Sequence, residues 1–159
     1  MLYPFICPTH RQWLTLNIHA ATSHYTQCID TAQYHIEAGC WQSALPFCGS
    51  AYETSEIIMT AETQDAISAV INFTHAAILL ANGFRQLNML TERQQVFASS
   101  RERLRLELQK SSMDSAAHTA LLECYASLDL GYQSGLIHNN TRGDTDVSMQ
   151  NRTSAYHFH

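Results

Sequence analysis

Residues 32–51 read AQYHIEAGCWQSALPFCGSA, and this stretch decides the fold. Upstream of Gly39, the apolar side chains Tyr25, Cys28, Ile29, Ala32 and Ile36 recur at the spacing of one helical face. Downstream, Trp41, Ala44, Leu45, Cys48, Ala51, Tyr52 and Ile58 do the same, continuing to Met59. Gly39 separates the two runs, and glycine accepts the left-handed conformation in which helices often end. Ala32, Ala44 and Ala51 are small where two antiparallel backbones would have to approach. The stretch therefore predicts a helical hairpin, with Trp41 buried between its two helices.

The same reading, carried outward, predicts an all-α protein of about six to seven helices in antiparallel hairpins, a short solenoid or bundle. Pro8 stops anything upstream, and Thr9 is expected to cap a short first helix carrying Trp13, Leu14 and Ile18. Ser23 is expected to cap the second helix. Pro46 is acceptable in the first turns of the third. A fourth, over about 62–81, has the stripe Ala66, Ile67, Val70, Ile71, Thr74, Ala77, Ile78, Ala81, closed by Gly83. Phe84, Leu87 and Leu90 open a fifth segment that Thr91 and Gln94 restart as a capping box. Val96, Phe97, Leu104 and Leu108 face inward from it. Arg101, Glu102, Arg103, Arg105 and Glu107 form a solvated face, with Arg103 and Glu107 paired at i,i+4. A last helix over about 115–130 ends at Gly131. Residues 1–137 then make one helical domain, and 138–159, polar with little to bury, are expected to be a disordered tail.

Composition narrows the function classes. The 159 residues suit a single domain. Charged residues are 14% of the chain, the net charge is −5 and Lys110 is the only lysine, so no footprint for nucleic acid is expected. No membrane partner is expected either, because no run of about 18 apolar residues is evident and the first eight residues lack the basic start of a signal peptide. Cys7, Cys28, Cys40, Cys48 and Cys124 are odd in number and form no CxxC pair, which points to reduced thiols and a cytoplasmic protein. The N-x-S/T sequons at Asn72, Asn139 and Asn151 are then chance matches.

Chemical motifs are sparse. Zinc ligands must converge, commonly at i,i+3 or i,i+4, yet His19 and His24 straddle a helix break, and Gly39 separates His35 from Cys40 and so weakens a Cys28, His35, Cys40 cluster. Cys40 with His35 one turn away reads as an exposed interhelical cysteine rather than a nucleophile. Glu53 and Glu56 read as a pair that keeps the outer face of the third helix soluble. Neither a phosphate-cradling glycine loop nor a nucleophile elbow is present. No catalytic residue, cofactor or metal site is expected.

Gly39, Gly83 and Gly131 are each followed within two residues by an aromatic, Trp41, Phe84 and Tyr132, a recurrence expected of stacked helical pairs. In Ala32, Gly39, Trp41, Ala44 and Ala51, the segment of residues 23–59 resembles a tetratricopeptide repeat. The second unit departs from the pattern at Asn88 and the third after Gly135. The resemblance implies a groove that holds a protein or peptide segment, lined by the first helix of the pair at Thr26, Gln33 and Glu37. The Lys and Asn that grip a terminal carboxylate in some such grooves have no counterpart in 23–59. The expected function is a non-enzymatic interaction module, adaptor or chaperone-like. The alternatives are a helical domain for homo-oligomerisation and an all-α enzyme whose site is assembled from distant residues.

Overall fold

The computed structural model describes residues 4–61, 65–110 and 115–153, and the side chains within them except at 115 and from 137 onward. These residues form six helices: α1 Pro8–Leu16, α2 Ile18–Glu37, α3 Trp41–Thr60, α4 Ala66–Gln86, α5 Leu90–Leu108 and α6 Ser115–Thr153. No strand occurs among the described residues, and the chain is all-α, as its periodicity predicts. α3 packs between α2 and α4, α5 and α6 pack on α4 and on each other, and α1 lies against α2 and α3.

Two hairpin tips share one turn. After α2, the amides of Ala38, Gly39 and Cys40 bond to the carbonyls of Tyr34, Ile36 and His35; after α4, those of Leu87, Asn88 and Met89 bond to Gly83, Arg85 and Phe84. In each turn the last bond reaches back five residues, satisfying a carbonyl that the helix end would leave open. Gly39 and Asn88 supply the left-handed residue, at φ 73° and 59°. Aligning the two hairpins on this pair matches buried positions with buried positions: Ala21 with Val70, Tyr25 with Thr74, Cys28 with Ala77, Ala32 with Ala81, Cys48 with Phe97, Ala51 with Ser100 and Ser55 with Leu104. The α2–α3 and α4–α5 hairpins thus share the turn and these buried positions.

Several boundaries differ from the sequence reading. The break after α1 falls at Asn17, whose side-chain amide donates to the Trp13 carbonyl at 2.8 Å; α2 therefore starts at Ile18, upstream of Ser23. Pro8 rather than Thr9 opens α1, as suits a residue with no amide to satisfy. Asp65 caps α4 by accepting from the Ser68 amide at 3.0 Å, and the expected start at 62 lies outside the described residues. Gly83 is inside α4, a seat where an added Cβ would stand 3.0 Å from Leu45. Phe84 belongs to α4 and is 3% exposed. The Gln94 side chain makes no capping box, because it donates to the Tyr132 carbonyl of α6 at 3.1 Å. Gly131 does not end α6: the Phe97 ring occupies the place of its missing Cβ, and the helix continues past Ile137 through most of the stretch expected to be a tail.

The core centres on α4, whose Phe73, Leu80, Ala76, Ala77 and Ala81 are fully buried, with Leu14, Val96, Leu104, Leu121 and Leu128 around them. Each such Leu or Phe contributes about 1.5–3 kcal/mol on burial. Ala66–Gln86 is also long and apolar enough, by length and composition, to cross a membrane, which corrects the reading that no such stretch exists. Here 56% of the apolar 18-residue window within that helix is buried inside the protein. Trp41 is half-buried at the start of α3, beside Gly83 of α4, rather than enclosed between α2 and α3.

Candidate functional site

Prolines at 4 and 8 bracket Phe5, Ile6 and Cys7 and keep them out of α1, leaving two apolar side chains without a helix to cover them. They settle on α3. Ile6 is 4% exposed and joins the core. The Phe5 ring lies over Gly49, occupying the volume any side chain there would need. The Phe5 amide donates to Glu53 Oε1 at 2.7 Å and the Ile6 amide to Glu53 Oε2 at 3.1 Å. Arg11 of α1 forks across two acidic side chains, with Nη1 at 3.3 Å from Glu53 and Nη2 at 3.0 Å from Glu56. Gly49, Glu53 and Glu56 face this segment together because i, i+4 and i+7 share one side of a helix.

A cleft of about 650 Å³ opens beside the segment, bounded by Pro4, Phe5 and Arg11 on one side and by Gln95, Ala98 and Ser99 of α5 on the other, with Tyr52, Glu53 and Glu56 between. Beyond Arg11 and Glu56 a second hollow of about 420 Å³ runs to Thr15, Ile57, Thr60 and Ala61. The Tyr52 hydroxyl bonds to Ser100 Oγ at 3.0 Å and Ser99 Oγ at 3.4 Å, tying α3 to α5. Burial pushes the Tyr52 pKa up, so its phenol stays neutral. The lining thus combines apolar surface with carboxylate, hydroxyl and amide groups, a mixture suited to hydrogen-bonding a peptide.

Thr26, Gln33 and Glu37 are exposed on α2. At a hundred degrees per residue they fall nearly opposite His24, the residue that meets His10 of α1 edge-on at 4.8 Å. They therefore share a flank with one another and not with the cleft. Ala32, Ala44 and Ala51 are fully buried, forming the small-residue seam of the α2–α3 hairpin, and Gly39 takes its turn. His35 stacks on Phe47 at 5.7 Å, whereas Cys28 lies 3.7 Å from His24. Burial raises the thiols of Cys28 and Cys48 to about 11, keeping both protonated. Among the described residues no three His, Cys, Asp or Glu side chains converge as a metal site.

Sequence reasoning missed Phe5, Arg11, Gly49, Glu53 and Glu56 as one constellation. Glu53 is 9% exposed and holds three donors, a correction to its reading as a solvated outer-face residue. Arg101 likewise leaves the expected solvated face, pairing with Asp129 at 2.8 Å and lying 4.4 Å over the Tyr132 ring. The legible signal was Gly49: a glycine inside a strong helical stripe with no turn to make points to something lying against it.

Fold and cleft define an all-α protein of stacked helical hairpins with an open furrow along α3. No protein-family model, curated protein or solved structure matches the chain.

Proposed function

We propose that this chain is a non-enzymatic protein–protein interaction module, adaptor or chaperone-like, that holds a segment of a partner protein against its helical hairpins. The observation that supports the reading is the way it holds its own residues: two consecutive backbone amides on one carboxylate and an aromatic ring on a glycine seat. Such contacts read a peptide's backbone and one anchor side chain, a mode that gives affinities near the micromolar range, about −8 kcal/mol. The repeated hairpins support it too, although their 49-position offset between Gly39 and Asn88 exceeds the roughly 34 residues of a tetratricopeptide repeat. The resemblance adds Thr26, Gln33 and Glu37 as a second candidate contact flank. Five free thiols favour a reducing, cytoplasmic setting.

The test is affinity capture from a lysate of the source organism by the parent, by Glu53→Gln and by the double variant Gln33→Ala/Glu37→Ala, with helicity checked for each. A partner whose recovery falls with one variant assigns the face. Equal recovery by all three rejects both faces, and turnover of a small metabolite by the purified protein rejects the adaptor reading. A second reading, self-association, draws on the exposed Leu122 and Leu130 of α6, at 49% and 73%. A monomeric mass by light scattering at working concentration counts against it.

A further inference from the structure

We infer that the edge-on pair of His10 and His24 is a proton-sensitive latch between α1 and α2, so that acid releases α1 while the two hairpins stay folded. The latch works whatever the cleft holds.

His10 of α1 and His24 of α2 meet with ring centroids 4.8 Å apart, edge to face, and Trp13 lies 5.8 Å from His10. Neutral rings pack well in this way, whereas two imidazolium rings at that separation repel. His24 is held from two sides. Its Nδ1 donates to the Thr54 hydroxyl of α3 at 3.0 Å, and the sulfur of Cys28 in its own helix stands 3.7 Å from Nε2. Nδ1 already carries a hydrogen, so an added proton goes to Nε2, where the thiol is only a weak acceptor. The ring cannot turn from His10 without giving up Thr54, which leaves the helix carrying His10 as the part that yields.

The charges around the pair do not cancel this repulsion. Arg11 follows His10 on α1, and the nearby acids of α3, Glu53 and Glu56, receive Arg11 at 3.3 and 3.0 Å and not an imidazole. On α2, burial raises the Cys28 thiol to about 11 and keeps it neutral. Thr54, the contact from α3, is uncharged.

α1 is built to yield before α2 or α3. It has nine residues, one buried side chain, Leu14, and a break at Asn17, where φ and ψ are −133° and 77°. Helices shorter than about 12–15 residues are marginal once their packing is lost. The α2–α3 hairpin is closed by the fully buried Ala32, Ala44 and Ala51. Upstream of α1, Phe5 and Ile6 stay tied to Glu53, so a released α1 unwinds between that anchor and α2, uncovering Leu14.

The direction follows from what holds His24 below its ordinary 6.5: burial first, then the facing His10. Lifting α1 removes His10 and admits water to the ring, so the released form takes up the proton at the higher pH. Docking is complete above about 6.5 and weakens as pH falls through the lowered value.

Amide hydrogen exchange on the full chain, read by mass spectrometry at pH 7.5 and 5.5 with times scaled to the intrinsic rate at each pH, tests the latch. In the parent, protection over 10–16 should fall at least about fivefold at pH 5.5 while 66–86 keeps its own. His24→Gln retains a donor for Thr54 and takes no proton, and His10→Gln removes the facing charge; each should reduce the fall to less than about twofold. Unchanged protection of α1 in the parent overturns the latch, as does a loss shared equally by α4, which is unfolding of the whole molecule. A fall of parental size in both variants takes the effect away from this pair and overturns it too. Should His24→Gln leave α1 unprotected already at pH 7.5, His10→Gln decides by the same two outcomes, and should both do so, the parent decides alone by whether α1 opens without α4.

Discussion

Gly39 and Asn88 hold the same left-handed backbone conformation at the tips of two hairpins, with φ of 73° and 59°. A Cβ added at Gly39 would meet nothing within 4 Å. The penalty of Gly39→Ala is therefore conformational, about 1–2 kcal/mol. Asn88→Gly should be neutral or stabilising, because glycine takes this conformation without a Cβ penalty. Chemical denaturation midpoints test both, and a Gly39→Ala midpoint equal to the parent's would show that the turn does not constrain that residue.

Tyr52 and Ser100 are both buried, and their hydroxyls satisfy each other across α3 and α5. Tyr52→Phe keeps the ring against Phe73, 5.4 Å between centroids, and removes only the oxygen. The expected loss is about 1–2 kcal/mol, most of it from leaving the serine without that partner. Adding Ser100→Ala should recover part of it, and a double variant no more stable than Tyr52→Phe would assign the loss elsewhere.

Gly131→Ala should destabilise by about 1–3 kcal/mol, since the Phe97 ring fills the space of the new methyl group. Trimming the ring with Phe97→Leu should make the added methyl less costly than in the parent. Additive losses would place the cause in α6 itself and away from its contact with α5.

His24 supplies a pH dependence. The Thr54 hydroxyl donates to the Ser50 carbonyl at 2.7 Å, so at 3.0 Å it accepts from His24 Nδ1–H. Burial, and after it the neighbouring His10, lowers the His24 pKa below 6.5. In the unfolded chain His24 binds its proton near that ordinary value, and in the folded chain only at lower pH. The unfolded state therefore holds more protons between the two, and this contribution to stability is complete above about 6.5 and lost as pH falls through the lowered value. Melting temperatures should drop less between pH 7.5 and 5.5 for His24→Gln than for the parent, and identical drops would remove His24 as a cause.

The helical class was legible because long apolar stripes at helical period leave little choice; the α2–α3 hairpin in particular follows from Ala32, Gly39, Ala44 and Ala51. The second hairpin was misframed by treating Gly83 as a stop, as the last helix was by treating Gly131 as one. Gly83 and Gly131 sit inside helices as seats for Leu45 and Phe97, and the residue equivalent to Gly39 is Asn88, which a search for glycines passes over. Trp41 follows suit: half-buried beside Gly83, it should cost nearer 2 kcal/mol on truncation to alanine than the 3–5 of an enclosed Trp. The cleft stayed hidden because its partners are separated in sequence by 42 to 48 residues, Arg11 and Phe5 with Glu53. One-dimensional periodicity reports which face of an element is apolar, not which distant segment will cover it.

The bond from the Phe5 amide to Glu53 spans 48 residues, and on a ribosome that separation becomes a waiting time. At about 5–20 residues per second, the aromatic-aliphatic pair leaves the exit tunnel seconds before its seat does. Through that interval it is the same exposed apolar segment that the finished protein shelters.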